Sequence, residues 1–256
     1  MIDARAIVSP KAQLAADVTV GPFSIIGPDV QIGAGTIVGP HVVINGPTVI
    51  GADNHIFQFA SLGDAPQDKK YKGEPTRLEI GARNVFRESC TVNRGTTHDK
   101  GVTRVGDDNL FMAYSHVAHD CQVGNKTVFA NCASLAGHVE IGDWVTLGGL
   151  TAVHQYVKIG AHAFLAGGAI VQRDVPPYIM VAGNPALPHA VNSEGLKRRG
   201  FTEAQIRNVR DAYRILYRSD LKLADALEKL GALAETQPEV RSFVDFIAAS
   251  TRSIVR

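Results

Sequence analysis

Hydrophobic residues recur along this chain at every sixth position. Val8, Leu14, Val20, Ile26, Ile32, Val38, Ile44, Ile50, Ile56 and Leu62 share one register. The register resumes at Ile80, Phe86 and Val92. It returns at Val105 and runs through Phe111, Val117, Val123, Phe129, Leu135, Ile141, Leu147, Val153, Ile159 and Leu165 to Val171. A period of six matches neither the 3.6 of a helix nor the 2 of a half-buried strand. It matches a short strand followed by a turn, the aliphatic residue pointing inward. Glycine follows it at Gly21, Gly33, Gly51, Gly106, Gly124, Gly142 and Gly160, among others. Four residues after the aliphatic sits something small or polar, such as Ser24, Thr36, Asn109, Ser115, Cys121 or Thr127.

Hexapeptide repeats of this kind are a signature of parallel β-helices. The fold expected is mainly β: a left-handed parallel β-helix over residues 1–190, then a C-terminal α-helical domain over 191–256. Three repeats close one triangular coil, so positions 18 apart stack on one wall. The repeats amount to about eight coils, each rising ~4.8 Å. Two polar excursions break the register, at 63–79 and 93–104, and read as exposed loops of the sort that carry binding elements. Beyond Val171 the prolines of QRDVPPYIMVAGNPALPHAVN mark a transition. Three helical stretches follow. In the first, Thr202 stands as N-cap ahead of Ile206, Val209, Tyr213 and Leu216 at helical spacing.

Composition narrows the function classes. The 256 residues carry a formal net charge of +1, which excludes a chain that is basic throughout and coats nucleic acid. The charge is uneven: residues 1–189 hold 14 Lys and Arg against 16 Asp and Glu (net −2), and residues 190–256 hold 12 against 9 (net +3). Arg207, Arg210, Arg214 and Arg218 lie near one helical face. They read either as a solvated surface or as a dock for an acidic partner. Three cysteines without CxxC spacing make no disulfide framework. There is no apolar run long enough to span a bilayer and no signal-like start, so a cytoplasmic protein without membrane insertion is expected.

The candidate chemistry is histidine. Stepping by 18 from His119 gives Gly137, with His138 beside it, and then Gln155, with His154 beside it: one polar strip across three coils. Three readings compete. These are unrelated surface histidines, a metal site, and a general base, since an imidazole titrating near ~6.5 can take a proton from an alcohol at neutral pH. No acidic or cysteine ligand cluster accompanies the strip. Asp120 follows His119 and orients it only if a turn lies between them. Ser115 and Cys121 occupy the small position of the repeat, a structural place rather than a nucleophile's, which favours direct transfer over a covalent enzyme intermediate.

The segments QDKKYKGEPTRLEIG, AHDCQVGN, AGHVEIGDW, GGLTAVHQY, DVPPY, GNPA and NSEGLKRRGF, in order and over nearly the whole length, resemble the UDP-N-acetylglucosamine O-acyltransferase family of lipid A biosynthesis. The resemblance implies a homotrimer with sites in clefts between neighbouring prisms. It implies transfer of a 3-hydroxyacyl chain from acyl carrier protein to the 3-hydroxyl of UDP-N-acetylglucosamine. No bound cofactor is implied, the phosphopantetheine arriving on the carrier protein. It casts His119 as base, Asp120 as its supporting carboxylate and Gly137 as an oxyanion donor through its N–H. His116, His138, His154 and Gln155 become cleft lining, and Asp68 and Lys70 a sugar-gripping loop. Asn192, Glu194, Arg198 and Arg199 become nucleotide contacts, and Gly167 a position limiting acyl depth, where glycine leaves room for a longer chain. The basic helix face becomes the carrier protein's dock. Asn93 in TVNRGT departs from the implied pattern, which keeps a 3-amino analogue of the sugar as an alternative acceptor. The rivals are an N-acyltransferase with an additional N-terminal domain, for which repeats beginning at Val8 leave no space, a zinc hydro-lyase of the γ-carbonic anhydrase kind, and a non-catalytic scaffold.

Overall fold

The computed structural model describes all residues from Met1 to Arg256. Short parallel strands form three sheets, which are the three walls of a prism. Wall one holds nine strands, from Ile7–Val8 to Ile170–Val171. Wall two holds eight, from Gln13–Leu14 to Lys158–Ile159, and wall three ten, from Thr19–Val20 to Leu187–Val191. Through Ile170–Val171 every third strand joins the same wall, as a hexapeptide coil requires; wall three then ends with Ile179–Ala182 and, antiparallel to it, Leu187–Val191. His116 pairs with Ser134 and Val117 with Leu135, one coil further on.

Most strands are two residues long, one inward and one outward. The inward residues at Val20, Ile26, Phe86, Phe111, Val117, Phe129, Leu135 and Leu147 are buried and form one continuous core. At ~25 cal/mol per Å2 of apolar surface removed from water, this single-file core is the main stabilising element. Phe86 and Phe111 stack within it at 4.7 Å. Beside them runs a buried amide ladder. The Asn84 side chain donates to Asn54 Oδ1 at 3.0 Å, Asn109 donates to Asn84 Oδ1 at 2.9 Å, and the Thr127 hydroxyl donates to Asn109 Oδ1 at 2.7 Å. Its rungs are 30, 25 and 18 residues apart. The corner it occupies is therefore conserved through both excursions, whose extra residues are extruded elsewhere.

The excursions are shorter than the register breaks suggest. Strands Ser61–Asp64 and Thr91–Asn93 run into them, and Arg77–Ile80 and Val102–Val105 begin before they end, leaving irregular segments only at 65–76 and 94–101. The reason is pairing: Arg77 to Ile80 bond in register with Val102 to Val105, so each loop's exit strand extends the other's. Asn93 lies almost wholly buried at the loop base and donates to the Ala65 carbonyl at 3.1 Å, rather than facing solvent.

The C-terminal region holds α1 (Ser193–Arg198), α2 (Glu203–Tyr217), α3 (Leu223–Ala234) and α4 (Pro238–Ala249). Thr202 and Gln205 form the capping box that fixes the start of α2. The short α1 was not among the three expected helices. After α4 the chain returns to the prism, where the Val255 N–H donates to the Asp174 carbonyl at 2.8 Å.

Candidate active site

Most of the candidate residues lie at the corners of the prism rather than on its walls. The corner from wall one to wall two turns through a left-handed residue on each coil: Asp120 at φ 60°, His138 at 64° and Tyr156 at 64°. Both loops, 65–76 and 94–101, leave from this same corner on the two preceding coils, since each connects a wall-one strand to a wall-two strand.

Here the turn that Asp120 needs to reach His119 is present. His119 Nδ1 lies 2.9 Å from Asp120 Oδ2, and both residues are buried. The Thr96 N–H lies 3.0 Å from each Asp120 oxygen, the Thr96 hydroxyl donates to Oδ2 at 2.7 Å, and the Asp120 N–H donates to Thr103 Oγ1 at 2.8 Å. Burial acts to raise the Asp120 pKa, but the hydrogen bonds from His119 and Thr96 outweigh it and hold the carboxyl below the usual range. An ionised Asp120 draws the proton of His119 to Nδ1. Nε2, which has no partner within the chain, is left as the basic atom.

Gly137 is the seat of that ring. A Cβ there would lie 2.5 Å from His119 Cε1 and 2.7 Å from Nε2, so any side chain would displace the imidazole. The Gly137 N–H makes no hydrogen bond within the chain, and its carbonyl accepts from the Tyr156 N–H at 3.1 Å. His138 stands edge-on to His119 at 4.9 Å and stacks on Tyr156 at 4.3 Å. Tyr156 was not identified from sequence, although two steps of 18 from Asp120, through His138, reach it. His116, on the adjoining strand, bonds through Nδ1 to the Thr91 hydroxyl at 2.7 Å. Burial, helped by the charge of His119, pushes its pKa down.

His154 and Gln155 are exposed on the next coil, and the Gln155 carbonyl is tied to Arg252 at 2.8 Å. Asp68 and Lys70 lie in the first loop, where Asp68 Oδ1 accepts from the Lys70 N–H at 3.0 Å. Arg94 secures that loop, donating to Tyr71 Oη at 3.0 Å and to the Gly63 carbonyl at 2.8 Å.

The remaining candidates do not converge here. Asn192 and Glu194 open α1 and Arg198 and Arg199 close it, against the corner from wall two to wall three, on the other side of wall two. That corner stacks Lys126, Trp144, His162 and Tyr178, all at left-handed turns. Asn192 caps α1, accepting from the Gly195 N–H at 3.2 Å, and donates to the His162 carbonyl at 2.9 Å. Arg199 packs over Trp144 at 5.1 Å and donates to His162 Nδ1 at 3.3 Å, with no carboxylate partner. Burial lowers its pKa, so the guanidinium is a half-buried cation short of an anion. His162 is pushed down to about 4, by burial first and then by Arg199. Arg198 and Glu194 are exposed. Gly167 lies at the third corner, next to Gly168 at φ 72°, where an added Cβ would come no nearer than 3.4 Å to any neighbour.

A hexapeptide prism with a carboxylate-held imidazole at one corner defines a class, the hexapeptide-repeat transferases. A model of the bacterial transferase hexapeptide matches residues 11–46, and one of UDP-N-acetylglucosamine O-acyltransferase domain 2 matches residues 174–255. The acyl-acyl-carrier-protein–UDP-N-acetylglucosamine O-acyltransferase of Thiobacillus denitrificans is 59% identical over 251 residues, covering 98% of this chain and 97% of its own. That of Pseudomonas paraeruginosa is 54% identical over 256 residues, covering 100% and 99%. The solved UDP-N-acetylglucosamine acyltransferase of Francisella novicida superposes with a TM-score of 0.98 at 42% identity, over 100% of this chain and 94% of that one. The Moraxella catarrhalis enzyme gives 0.98 at 44%, over 100% and 99%. The chain belongs to the acyl-acyl-carrier-protein–UDP-N-acetylglucosamine O-acyltransferase family.

Proposed function

We propose that this chain transfers a 3-hydroxyacyl group from acyl carrier protein to the 3-hydroxyl of UDP-N-acetylglucosamine by direct attack, with His119 as general base. The observation that carries the reading is the 2.9 Å bond from His119 Nδ1 to the buried Asp120 carboxylate, with Gly137 bare beside the ring. Nε2 takes the proton of the sugar hydroxyl as its oxygen attacks the thioester carbonyl carbon. The tetrahedral oxyanion accepts from the Gly137 N–H, an interaction of the kind worth ~3 kcal/mol of barrier. The C–S bond then breaks, and the imidazolium returns the proton to the departing phosphopantetheine thiolate. No cofactor of the protein's own enters. Burial pushes the Cys121 thiol up to about 12 and Cys90 up to about 11, so neither supplies a thiolate near neutral pH. The Ser115 hydroxyl is spent on the Met112 carbonyl at 2.6 Å.

The active assembly is a homotrimer. One chain places its base and its nucleotide cations at opposite edges of wall two, and a neighbouring copy can bring the missing edge. The third corner exposes Phe23, Phe59, Tyr114 and Leu150, an apolar edge suited to burial between copies or against an acyl chain. Gly167 at that corner leaves room for the longer chain. Asp68 and Lys70 would grip the sugar, and His116, His138, His154 and Gln155 would line the cleft. Arg198 and the unpaired Arg199 would take the diphosphate, supported by Asn192 and Glu194. Arg207, Arg210 and Arg214 on α2 and Arg218 at its C-cap are all exposed and would meet the acidic carrier protein. No helix is long and apolar enough to cross a membrane.

His119→Ala should lower kcat at least ~10^3-fold while leaving the fold and assembly intact. Mass spectrometry of the product formed from UDP-N-acetylglucosamine and a panel of acyl thioesters measures it, and separates this acceptor from its 3-amino analogue. Transfer near the native rate would end the reading. A second reading rests on the same residues: ligand atoms of His119, Asp120 and His138 lie within 4.8 Å of one another, the set that a zinc hydro-lyase would use. Thr96 and His119 already occupy the Asp120 oxygens, which disfavours it. Zinc bound near one per chain, with activity lost on chelation, would favour it.

A further inference from the structure

Loop 94–101 does more than close a coil. From one short segment it reaches two successive coils of the corner that carries His119. Thr96 clamps Asp120, Asp99 meets His138, and Lys100 bonds Glu140 at 2.9 Å. The Asp99 contact is the one with chemical content. Its Oδ2 lies 2.7 Å from His138 Nδ1, whereas Asp120 Oδ2 is 3.9 Å from the same atom. His138 has no other hydrogen bond from its ring, its side chain is 8% exposed, and Tyr156 stacks on it. The corner therefore holds two carboxylate–imidazole pairs at right angles, His119 with Asp120 and His138 with Asp99, their rings 4.9 Å apart. Asp120 is built into the coil. Asp99 arrives on a loop that the hexapeptide repeat does not require.

We propose that Asp99 is a positioning residue: its carboxylate holds the His138 imidazole as the Nδ1–H tautomer and fixes the ring plane, leaving Nε2 as a hydrogen-bond acceptor toward the sugar nucleotide. The neutral ring carries one proton, and an acceptor carboxylate at Nδ1 fixes where it sits. Without Asp99 the ring would be free to turn about its side-chain bonds and to carry the proton on Nε2. That atom would then present a donor where an acceptor is required. The inference rests on the acyltransferase reading for the identity of the bound molecule. It does not rest on that reading for the tautomer.

The test uses the full-length chain labelled with 15N-histidine, its His138 signals assigned by their loss in His138→Gln. Spectra recorded at about pH 8, above the ordinary histidine range, should show Nδ1 protonated in the native protein. In Asp99→Ala the proton should shift toward Nε2, and kcat should fall about tenfold or more, the usual cost of removing an outer partner of a functional histidine. Asp99→Asn, whose side-chain oxygen still accepts from Nδ1–H, should keep the tautomer and recover most of kcat. Lys100→Ala, which cuts the same loop's bond to Glu140, should leave both unchanged. Native tautomer and native kcat in Asp99→Ala would overturn the proposal. So would equal losses in Asp99→Ala and Lys100→Ala, because Asp99 would then serve only to anchor the loop. Persistence of transfer in His119→Ala, with the His138 tautomer still following Asp99, would sink the base assignment and spare this one.

Discussion

The two corners that flank wall two are built from the same backbone device and do opposite things. Each stacks one left-handed turn residue per coil: Asp120, His138 and Tyr156 on one side, Lys126, Trp144, His162 and Tyr178 on the other. At the first corner His119 and His138 each face a carboxylate through Nδ1, the adjoining His116 faces a hydroxyl, and loop 94–101 bonds Asp120 and His138. At the second, cations lie against aromatic rings, with Lys126 Nζ 4.7 Å and Arg199 Cζ 5.1 Å from the Trp144 ring, and the half-buried His162 is held neutral. A repeat fixes where side chains project and leaves their chemistry open. The first corner is thereby suited to moving a proton and the second to holding an anion.

Kinetics should separate the two. Gly137→Ala at the first corner would drive a methyl group into the His119 ring. It should lower kcat ~10^2-fold, the scale of an ångström-sized misplacement of a reacting group, with KM for the sugar nucleotide little changed. Steady-state rates that leave kcat native would show that the ring position is immaterial. Arg199→Ala at the second corner should do the reverse, raising KM for the nucleotide about tenfold with kcat largely kept, as expected for a charge-assisted contact made equally in ground and transition states. A loss confined to kcat would remove the distinction between the corners.

How much of this was legible in the sequence follows from what the period controls. The inward residues from Val8 to Val171 were readable because each must be apolar for the coil to close, and the walls follow from them. The vertical relation of His119 to Gly137 was readable for the same reason. Tyr156 lay one step of 18 beyond His138 and was missed because the strip was drawn through the residue before the turn rather than through the turn itself. Thr96 and Asp99 had no periodic signal: they sit in a loop whose path is set by contacts with Asp120, His138 and Glu140. Resemblance gathered Asn192, Glu194, Arg198 and Arg199 into one site with His119. A single chain holds them on the far side of wall two, because sequence motifs name the members of a site without saying where in the fold each one lies. Asn192 also proved to be a helix cap tied to His162.

The smallest effect should appear in stability. The folded value of His162, about 4, lies below the ordinary ~6.5 of an unfolded chain, so the unfolded state takes up the proton first as pH falls. The neutral ring costs nothing above ~6.5, and native stability should drop progressively from there toward 4. His162→Phe should make the fall of melting temperature across that window shallower. An unchanged slope would show that the second corner does not hold the histidine neutral.

The proposed function requires that one copy lend the base and another the nucleotide grip. Co-expressing differently tagged His119→Ala chains with Arg198→Ala/Arg199→Ala chains, each impaired alone, and isolating the mixed trimers would test it. In a closed ring of heterologous contacts, every mixed trimer has one site in three that combines an intact His119 with intact arginines from the neighbour. Activity should therefore return to about a third of native, with a native KM for the nucleotide. Mixed trimers no more active than the two parents would contradict the shared site.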